Sequence, residues 1–309
     1  MADVVTIQSV DFSIVVPTYN RPQQLAECLS ALAKLDYGRA RFEVIVVDDG
    51  SATPLEPVTA PFQDRMQLSL IRQENAGPAA ARNRGAQVAT GTWLAFTDDD
   101  CQPSPDWLRV LARELSQQHD PVVGGRTVNG LSDNLCSSMS QIIVDVVYRH
   151  YNACPEDAHF FATNNLAIGR DLFHRVGGFN PAFTTSEDRD LCDRLSNAGI
   201  RMRYAADGVV EHRHTLSLRG FCRQHFQYGC GAFRFHCSQR QRHSRHTWTK
   251  TSFHLDLGNW LLYPFSQVSP GRWPGLFSLL FLWQFTNTVG FAVEGLRQLT
   301  LRRRPEQPA

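Results

Sequence analysis

Short apolar runs alternate with segments of helical periodicity through the first hundred residues, and this alternation limits the fold more than any other feature. The runs are FSIVVP, FEVIVV, QLSLI and TWLAF, which begin at residues 12, 42, 67 and 92. Strands that are apolar on both sides are typical of parallel sheets whose two faces are covered by helices. We therefore predict an α/β fold with a Rossmann-like, mostly parallel sheet between two helical layers.

Helix start and stop signals support this organisation. Pro22 stands at a permitted first-turn position of the helix that follows the first run. After the fourth run we expect a helix capped by Ser104, and later a helix capped by Ser186 that Gly199 ends.

The composition allows a large core and selects no class of partner. Of the 309 residues, 42% are hydrophobic and 20% are charged, and the formal net charge is +1. The eight cysteines include no CxxC pair and no zinc-ligand spacing, and the chain does not start with a basic region followed by an apolar run. We therefore expect free thiols in a reducing, cytoplasmic setting.

Polar clusters follow three of the four predicted strands. They are Pro17–Arg21, Asp48–Ser51 and Asp98–Asp100. Because ligands of parallel α/β sheets bind beyond the carboxyl ends of the strands, the three clusters are expected to face one rim and to form one site.

The last of these clusters holds three carboxylates in a row. Side chains of an extended segment alternate, so Asp98 and Asp100 can point the same way while Asp99 points elsewhere. Two carboxylates suit Mg²⁺ or Mn²⁺, which complete their coordination with water and substrate phosphates. A solvated acidic turn is the alternative, but the position at the end of a buried strand favours a divalent metal that holds a phosphorylated ligand.

Asp48 and Asp49 can accept hydrogen bonds from a uracil imide or from ribose hydroxyls, and Gly50 permits a close turn of the backbone. The alternative is a simple Asp-Gly turn, which is disfavoured because no second alternating strand follows closely. Arg82, in GPAAARNRG, can reach a phosphate with its planar guanidinium or remain a solvated helix residue, and the sequence leaves both open.

Asp188 is the candidate for catalysis. It lies in SEDRDL at the predicted N-terminus of a helix, where the helix dipole favours the ionised carboxylate. Such a carboxylate can act as general base on a hydroxyl nucleophile. Taken alone, SED is better explained by Glu187 and Asp188 only satisfying the helix dipole.

Four segments of the chain occur together in one order: SIVVPTYNRPQQL, EVIVVDDGS, NAGPAAARNRGAQVATGTWLAFTDDDCQPSPDWL and SEDRDLCDRL. In this order and spacing they resemble the family 2 glycosyltransferases over roughly the first two-thirds of the chain. The resemblance implies the GT-A fold. It also implies an inverting, metal-assisted transfer of a sugar from a nucleotide-diphosphate donor, with a UDP-sugar favoured, to an acceptor hydroxyl.

The resemblance also assigns roles to individual residues. Asp98 and Asp100 match the family's DxD metal motif, and Asp188 matches the base that takes the acceptor's proton. His212 can ligate the metal or the diphosphate, as a late histidine does in some relatives, or be a surface histidine. The nucleotide-sugar-binding residues predicted in this way are Pro17, Thr18, Tyr19, Asn20, Asp48, Asp49, Arg82, Asp98 and Asp99.

One departure from the family bears on the product. Processive polysaccharide synthases of this family carry a QxxRW motif, whereas QVSPGRW, from Gln267 to Trp273, has a different spacing. We therefore expect the addition of one or few sugars in the synthesis of a glycan, glycolipid or cell-surface polysaccharide. One alternative is a nucleotidyltransferase on a similar sheet, disfavoured because PTYNRPQQ is not a glycine- and lysine-rich loop. Another is a non-enzymatic protein that binds a membrane or nucleic acid.

The composition changes near residue 212. From His212 to Leu255 the chain has eight arginines and lysines, seven of its eleven histidines and no acidic residue. The apolar stretch Leu276–Leu296 follows, but polar residues such as Gln284 and Glu294 interrupt it. A packed or interfacial helix is therefore favoured over a transmembrane span.

These observations predict two parts of the chain. Residues 1–215 are expected to form the GT-A domain, and residues 216–309 a basic and apolar helical extension. We expect the extension to attach peripherally to the cytoplasmic face of a membrane, and we expect no nucleic-acid partner.

Overall fold

The computed structural model describes residues 10–117, 122–242, 260 and 262–302. Its strands are β1 (Phe12–Thr18), β2 (Phe42–Asp48), β3 (Gln67–Arg72), β4 (Trp93–Phe96), β5 (Cys101–Pro103), β6 (Val122–Asn129), β7 (Leu166–Gly169) and β8 (Arg203–His212). They form one sheet in the order β3-β2-β1-β4-β7-β6-β8-β5.

Helices precede and follow these strands, and those after β1, before β4, after β5 and before β8 lie where the sequence predicts them. They are α1 (Pro22–Leu32), α2 (Glu56–Thr59), α3 (Pro78–Val88), α4 (Trp107–Leu115), α5 (Leu135–Tyr151), α6 (Arg170–Arg175), α7 (Glu187–Asn197), α8 (Leu218–Arg242), α9 (Tyr263–Ser266) and α10 (Trp273–Arg302).

The sheet is buried on both faces, which confirms the α/β prediction. Ile14 and Val16 of β1 pack in a core with α1 and α4, whereas Val15 packs on the opposite face with α3, α6 and α7. This alternation explains why the strand sequences are apolar throughout. Parallel pairs join β1 to β2 and β4, β2 to β3, and β6 to β8, while β7 and β5 pair antiparallel with their neighbours.

The parallel strands bring the three polar clusters to one rim, as predicted. Thr18, the last residue of β1, lies opposite Asp48, the last residue of β2. β4 runs parallel to β1 and ends at Phe96, immediately before Thr97 and the three aspartates. The antiparallel pair β5 and β8 brings Cys101 opposite His212.

Two predicted helix caps are wrong. α4 begins at Trp107 after Asp106, and the Ser104 hydroxyl donates to the Asp106 carboxylate (2.8 Å) instead of capping the helix. Ser186 precedes α7 as expected, but its side chain makes no capping hydrogen bond and its backbone is left-handed, with φ 73°. Pro22 does begin α1, and Gly199 lies beyond the end of α7 with φ +74°.

The described part of the extension is helical. α8 and α10 run in the same direction and meet at their backbones, since a Cβ at Gly229 would overlap the carbonyl oxygen of Asn287 and one at Gly290 would overlap that of Phe226. Both helices also share an apolar core with α5. The part of the predicted basic segment that follows residue 242, up to Leu255, lies outside the described residues.

α10 has one packed side and one open side. Leu276, Leu279 and Trp283 are buried, and Glu294 is buried and paired with Arg234 at 2.8 Å. The open side carries large exposed side chains, namely Trp273, Phe277, Phe281, Phe285, Val289, Phe291, Leu296 and Leu299. By length and composition alone, Pro270–Thr300 is long and apolar enough to cross a membrane.

Candidate active site

The three aspartates after β4 are held by cations and a hydroxyl from other strand ends. The Arg21 guanidinium donates to both Asp99 and Asp100 at 3.1 Å. The Thr18 hydroxyl donates to the second oxygen of Asp99 at 2.7 Å. Burial is the main cause that raises the pKa of Asp99 to about 6, and Arg21 opposes it.

Arg82 connects the aspartate cluster to the candidate base. Its side chain is 5% exposed and pairs with Asp98 at 2.5 Å and with Glu187 at 3.0 Å. Glu187 and Asp188 are the first two residues of α7, so one buried guanidinium joins the end of β4 to the start of α7. The Asp98 side chain is 29% exposed and is the most open of the three aspartates.

Asp100 and His212 form the clearest candidate for a metal centre. His212 Nε2 lies 3.2 Å from Asp100 Oδ1, and the thiol of Cys101 lies within 4.8 Å of both. Burial alone would raise the pKa of Asp100, but His212 and Arg21 hold that pKa well below its usual value.

The donor set fits a divalent cation bound mainly by oxygen. A carboxylate and an imidazole can share a Mn²⁺ or Mg²⁺ ion whose other positions go to water and phosphate oxygen, with the imidazole better suited to Mn²⁺. The soft sulfur of Cys101 does not suit either ion. Asp98 approaches from the Arg82 side of the cluster and lies outside this group.

The predicted nucleoside residues form a tight double loop at the ends of β1 and β2. The Asn20 amide donates to the Ser51 hydroxyl (2.9 Å), and the Asn20 side chain accepts from the Ala52 amide (2.8 Å). Asn20 takes a positive φ of 54°, which asparagine tolerates better than most residues. Pro17 is buried at the end of β1, whereas the Tyr19 ring is 48% exposed.

Asp48 and Asp49 are buried and already accept hydrogen bonds from the protein. Asp48 accepts from the Ser51 amide (2.8 Å), and Asp49 accepts from the Ala76 and Gly77 amides, both at 2.9 Å. The two carboxylates therefore order the loops around the rim. Their direct contact with a nucleoside stays a prediction.

Asp188 lies on the same rim, half-buried at the start of α7. Its Oδ1 accepts from the Arg189 amide at 2.7 Å. Burial, together with the neighbouring Glu187 carboxylate, raises the pKa of Asp188 to about 7. A carboxylate with this pKa is well matched to proton abstraction near neutral pH.

Sequence reasoning placed Arg21 on the rim but gave it no role, and it missed the pairing role of Glu187. The need for a cation beside three adjacent carboxylates was visible, and Arg21 is the first cation after β1. The alternation argument grouped Asp98 with Asp100. In the structure Asp99 and Asp100 share Arg21, and Asp98 belongs to Arg82.

A separate groove of about 820 Å³ lies between β6, α5 and the segment before α10. Arg126, Asp145, Arg149 and Arg272 are among the residues that line it. The three aspartates and Asp188 are not among them, so we place the chemistry at the rim, where the perturbed carboxylates are, and not in this groove.

Comparison with known proteins bears on this assignment. The sequence profile of the family described as "Glycosyl transferase family 2" matches residues 13–182, more than half of the chain. A pre-mycofactocin glycosyltransferase of Mycobacterium tuberculosis is 30% identical over 226 residues, 72% of this chain and 47% of that protein. Glycosyltransferase AglE of Haloferax volcanii is 27% identical over 208 residues, 65% of this chain and 66% of that protein. The chain therefore matches only about half to two-thirds of the length of these relatives.

Solved structures agree on the fold. A mannosyltransferase from Pyrobaculum calidifontis, in complex with GDP-Man and Mn²⁺, superposes with a TM-score of 0.61 at 20% identity, covering 95% of this chain and 88% of that one. Together with the profile match and the relatives, this structural similarity confirms the predicted family membership and the predicted GT-A fold. The chain belongs to glycosyl transferase family 2.

Proposed function

We propose that this chain is an inverting, metal-dependent glycosyltransferase that moves a sugar from a nucleotide-diphosphate donor, preferably a UDP-sugar, to an acceptor hydroxyl. The observation that carries the proposal is the Arg82 bridge. It links Asp98, the first aspartate of the DxD motif, to Glu187 at the start of α7, and so holds the donor-side carboxylates and Asp188 on one rim.

The donor is proposed to bind across the ends of β1, β2 and β4. The exposed Tyr19 ring offers a stacking surface for the base, and the loops ordered by Asp48 and Asp49 form the nucleoside pocket. Thr18, Asp98 and Asp99 contribute to the sugar and diphosphate side, with Arg82 near the phosphates.

Asp100 and His212 would hold the divalent metal, with Asp98 as a further ligand or as a contact to the donor. We favour Mn²⁺, with Mg²⁺ as the alternative. When bound, the metal neutralises the negative charge that develops on the departing diphosphate.

Asp188 is proposed as the general base. Its ionised carboxylate takes the proton of the acceptor hydroxyl, and the hydroxyl oxygen attacks the anomeric carbon from the face opposite the diphosphate. The bond to the diphosphate breaks as the new glycosidic bond forms, so the anomeric configuration inverts. The spacing of QVSPGRW supports transfer of one or few sugars.

The extension, residues 216–309, is proposed to rest on the cytoplasmic face of a membrane. α10 is tied along its length to α8, which carries Arg223, Arg234 and Arg242. A crossing α10 would bring these arginines into hydrocarbon, so an in-plane position of the exposed aromatic side is favoured over a span.

The test begins with a thermal-shift screen of UDP-, GDP- and dTDP-sugars with Mn²⁺ or Mg²⁺, because a ligand of the native state raises its apparent stability. The donor that binds is then used to measure release of nucleoside diphosphate. Asp100→Ala should abolish the metal-dependent release, whereas Asp36→Ala, at an exposed carboxylate paired with Arg109, should not. Normal turnover by Asp100→Ala would refute the metal assignment.

A further inference from the structure

α8 contributes to the catalytic rim although it lies beyond the part of the chain that the family profile matches, residues 13–182. The Thr185 hydroxyl donates to the Gln227 carbonyl oxygen at 3.0 Å. Gly231 lies against the same segment, because a Cβ there would overlap the Thr185 hydroxyl and approach the Ser186 hydroxyl to 2.7 Å. One turn of α8 therefore rests directly on the residues that precede Asp188.

The far end of α8 is also fixed to α7. Arg242 pairs with Asp190 at 2.6 Å and with Asp193 at 3.0 Å, and Gln239 donates to Asp193 at 2.7 Å. Asp190 is fully buried, so these charged contacts are not loose surface pairs. The helix that carries the base and α8 are thus held together at both ends of their contact.

Tyr228 lies one turn before Gly231 and has one open side. Its side chain is 44% exposed, while Gln224 Nε2 donates to its hydroxyl at 3.2 Å and the His225 ring lies edge-on at 5.6 Å. Burial raises the pKa of the Tyr228 phenol, and Asp188 raises it further. Tyr228 shares one turn of α8 with Gln227 and Gly231, which contact Thr185 and Ser186, so its exposed side forms a wall beside the start of α7.

The chemistry of this wall selects a class of ligand. A tyrosine offers an apolar ring face together with a polar hydroxyl, and Gln224 adds an amide that also donates to Ser140 at 3.1 Å. A sugar ring presents an apolar face of C–H groups and a rim of hydroxyls, and it matches both features at once. A linear polyol or a simple alcohol lacks the flat apolar face.

We propose that Tyr228 and Gln224 of α8 form the acceptor subsite and that the acceptor is therefore a sugar ring, in a glycan or a glycoside. The proposal rests on the proposed function, since it names the substrate that faces Asp188. Tyr228 is a specificity-determining residue that contacts the acceptor, and it takes no part in binding the donor.

The test uses the full chain, the donor found by the thermal-shift screen and Mn²⁺. Acceptor probes are the methyl glycosides of glucose, galactose, mannose and N-acetylglucosamine, chosen because they carry no aromatic aglycone of their own. Sorbitol is the ringless control. At least one glycoside should raise release of nucleoside diphosphate above transfer to water, and sorbitol should not.

Tyr228→Ala should raise KM for the active glycoside about 10-fold, because a stacking contact is lost. The donor KM and the rate of transfer to water should stay within about 2-fold, since the donor half is unchanged. Tyr228→Phe should keep most of the affinity. Tyr228→Leu retains bulk without a ring face, so its KM should rise as for Tyr228→Ala. It replaces Tyr228→Ala in the test if that variant is unstable. Phe281→Ala, at an exposed aromatic of α10, is the matched control.

Two results would overturn the inference. One is the absence of stimulation by every glycoside. The other is an equal loss of transfer to glycoside and to water in a folded Tyr228→Ala protein. If the wild-type chain turned over no nucleotide sugar, the proposed function would fail by itself. Saturation-transfer NMR of the glycosides with wild type and Tyr228→Ala would still decide whether Tyr228 binds a sugar ring.

Discussion

Carboxylates are buried in two regions of the molecule, and the two regions balance them differently. In the extension, Glu294 has its own arginine, Arg234, at 2.8 Å. At the rim, the acidic residues outnumber the cations that reach them. The acidic residues are Asp98, Asp99, Asp100, Glu187 and Asp188, and the residues paired with them are Arg21, Arg82 and His212.

This difference distinguishes carboxylates that only stabilise the fold from carboxylates that can bind a ligand. Glu294 needs nothing further, since Arg297 also lies 3.9 Å from it. A surplus of buried carboxylates, in contrast, stays costly until another cation arrives. Burial is the main cause of the raised pKa values of Asp99 and Asp188, and the neighbouring carboxylates Asp100 and Glu187 raise them further. The rim is therefore prepared for a ligand that brings positive charge, whereas the pair of Glu294 and Arg234 serves only to hold α8 and α10 together. Five experiments bear on this comparison.

The largest effect is expected for Asp188→Asn. Loss of the base should lower kcat by about 10³-fold, because an amide cannot accept the acceptor proton. In the wild type, kcat should rise with pH through about 7 as Asp188 ionises. Release of nucleoside diphosphate at saturating donor and acceptor measures both, and a variant with a normal rate would remove Asp188 from the chemistry.

The same variant also reports on stability. The pKa of Asp188 in the folded chain, about 7, lies above its ordinary value of 3.8, so the fold favours the neutral acid. The stability linked to this proton is present below pH 3.8 and is lost as pH rises through 7. Asp188→Asn should therefore raise Tm at pH 8 more than at pH 5. The opposite order would contradict the surplus-charge account.

The next largest effect compares two arginines of α3. Arg82→Met leaves Asp98 and Glu187 without their shared partner and should lower the free energy of unfolding by about 3 kcal/mol. Arg84→Met, at an exposed position two residues away, should change it by less than about 0.5 kcal/mol. Denaturant unfolding measures both, and equal values would show that Arg82 does not stabilise the fold by neutralising Asp98 and Glu187.

A smaller effect is expected in the extension. Gly229→Ala should lower the free energy of unfolding by about 2 kcal/mol. The added Cβ would meet backbone atoms of α10, and backbone atoms cannot move aside as the end of a flexible side chain can. Gly271→Ala has open space around it and should be nearly neutral. A neutral Gly229→Ala would mean that α8 and α10 are not in backbone contact in solution.

The smallest effect concerns the membrane. Phe281→Ser should weaken binding to vesicles of anionic phospholipid about 5-fold, since one exposed aromatic ring no longer enters the interface. Val88→Ser, at an exposed apolar residue of α3, should leave binding unchanged. Cosedimentation measures both, and recovery of wild-type protein wholly in the supernatant would contradict peripheral attachment.

The rim could be predicted from the sequence because its members follow strands that pair in parallel. Apolar runs located the strands, and the ends of β1, β2 and β4 then located Thr18, Asp48 and Asp98 without any knowledge of contacts. The partners of these carboxylates were harder to predict from the sequence. Glu187 meets Arg82 across 105 residues of chain, and no local pattern encodes that distance.

The extension shows the opposite case. Its helices and the open side of α10 follow from composition, but the place of Tyr228 depends on Thr185 and Gly231, which meet only in the folded chain. The predicted boundary at residue 215 separated α8 from the rim for the same reason. Periodicity identifies a helix and does not say what its faces touch.

The backbone contacts that Gly229 makes with α10 and Gly290 makes with α8 have a consequence for recognising other proteins of this kind. Each position admits no side chain larger than hydrogen without separating α8 from α10, and α8 carries Tyr228. A chain that keeps this arrangement must keep both glycines, however far its surface has diverged. The pair therefore serves as a sequence signature for the extension, one that can be sought in other chains where overall identity is too low to guide an alignment.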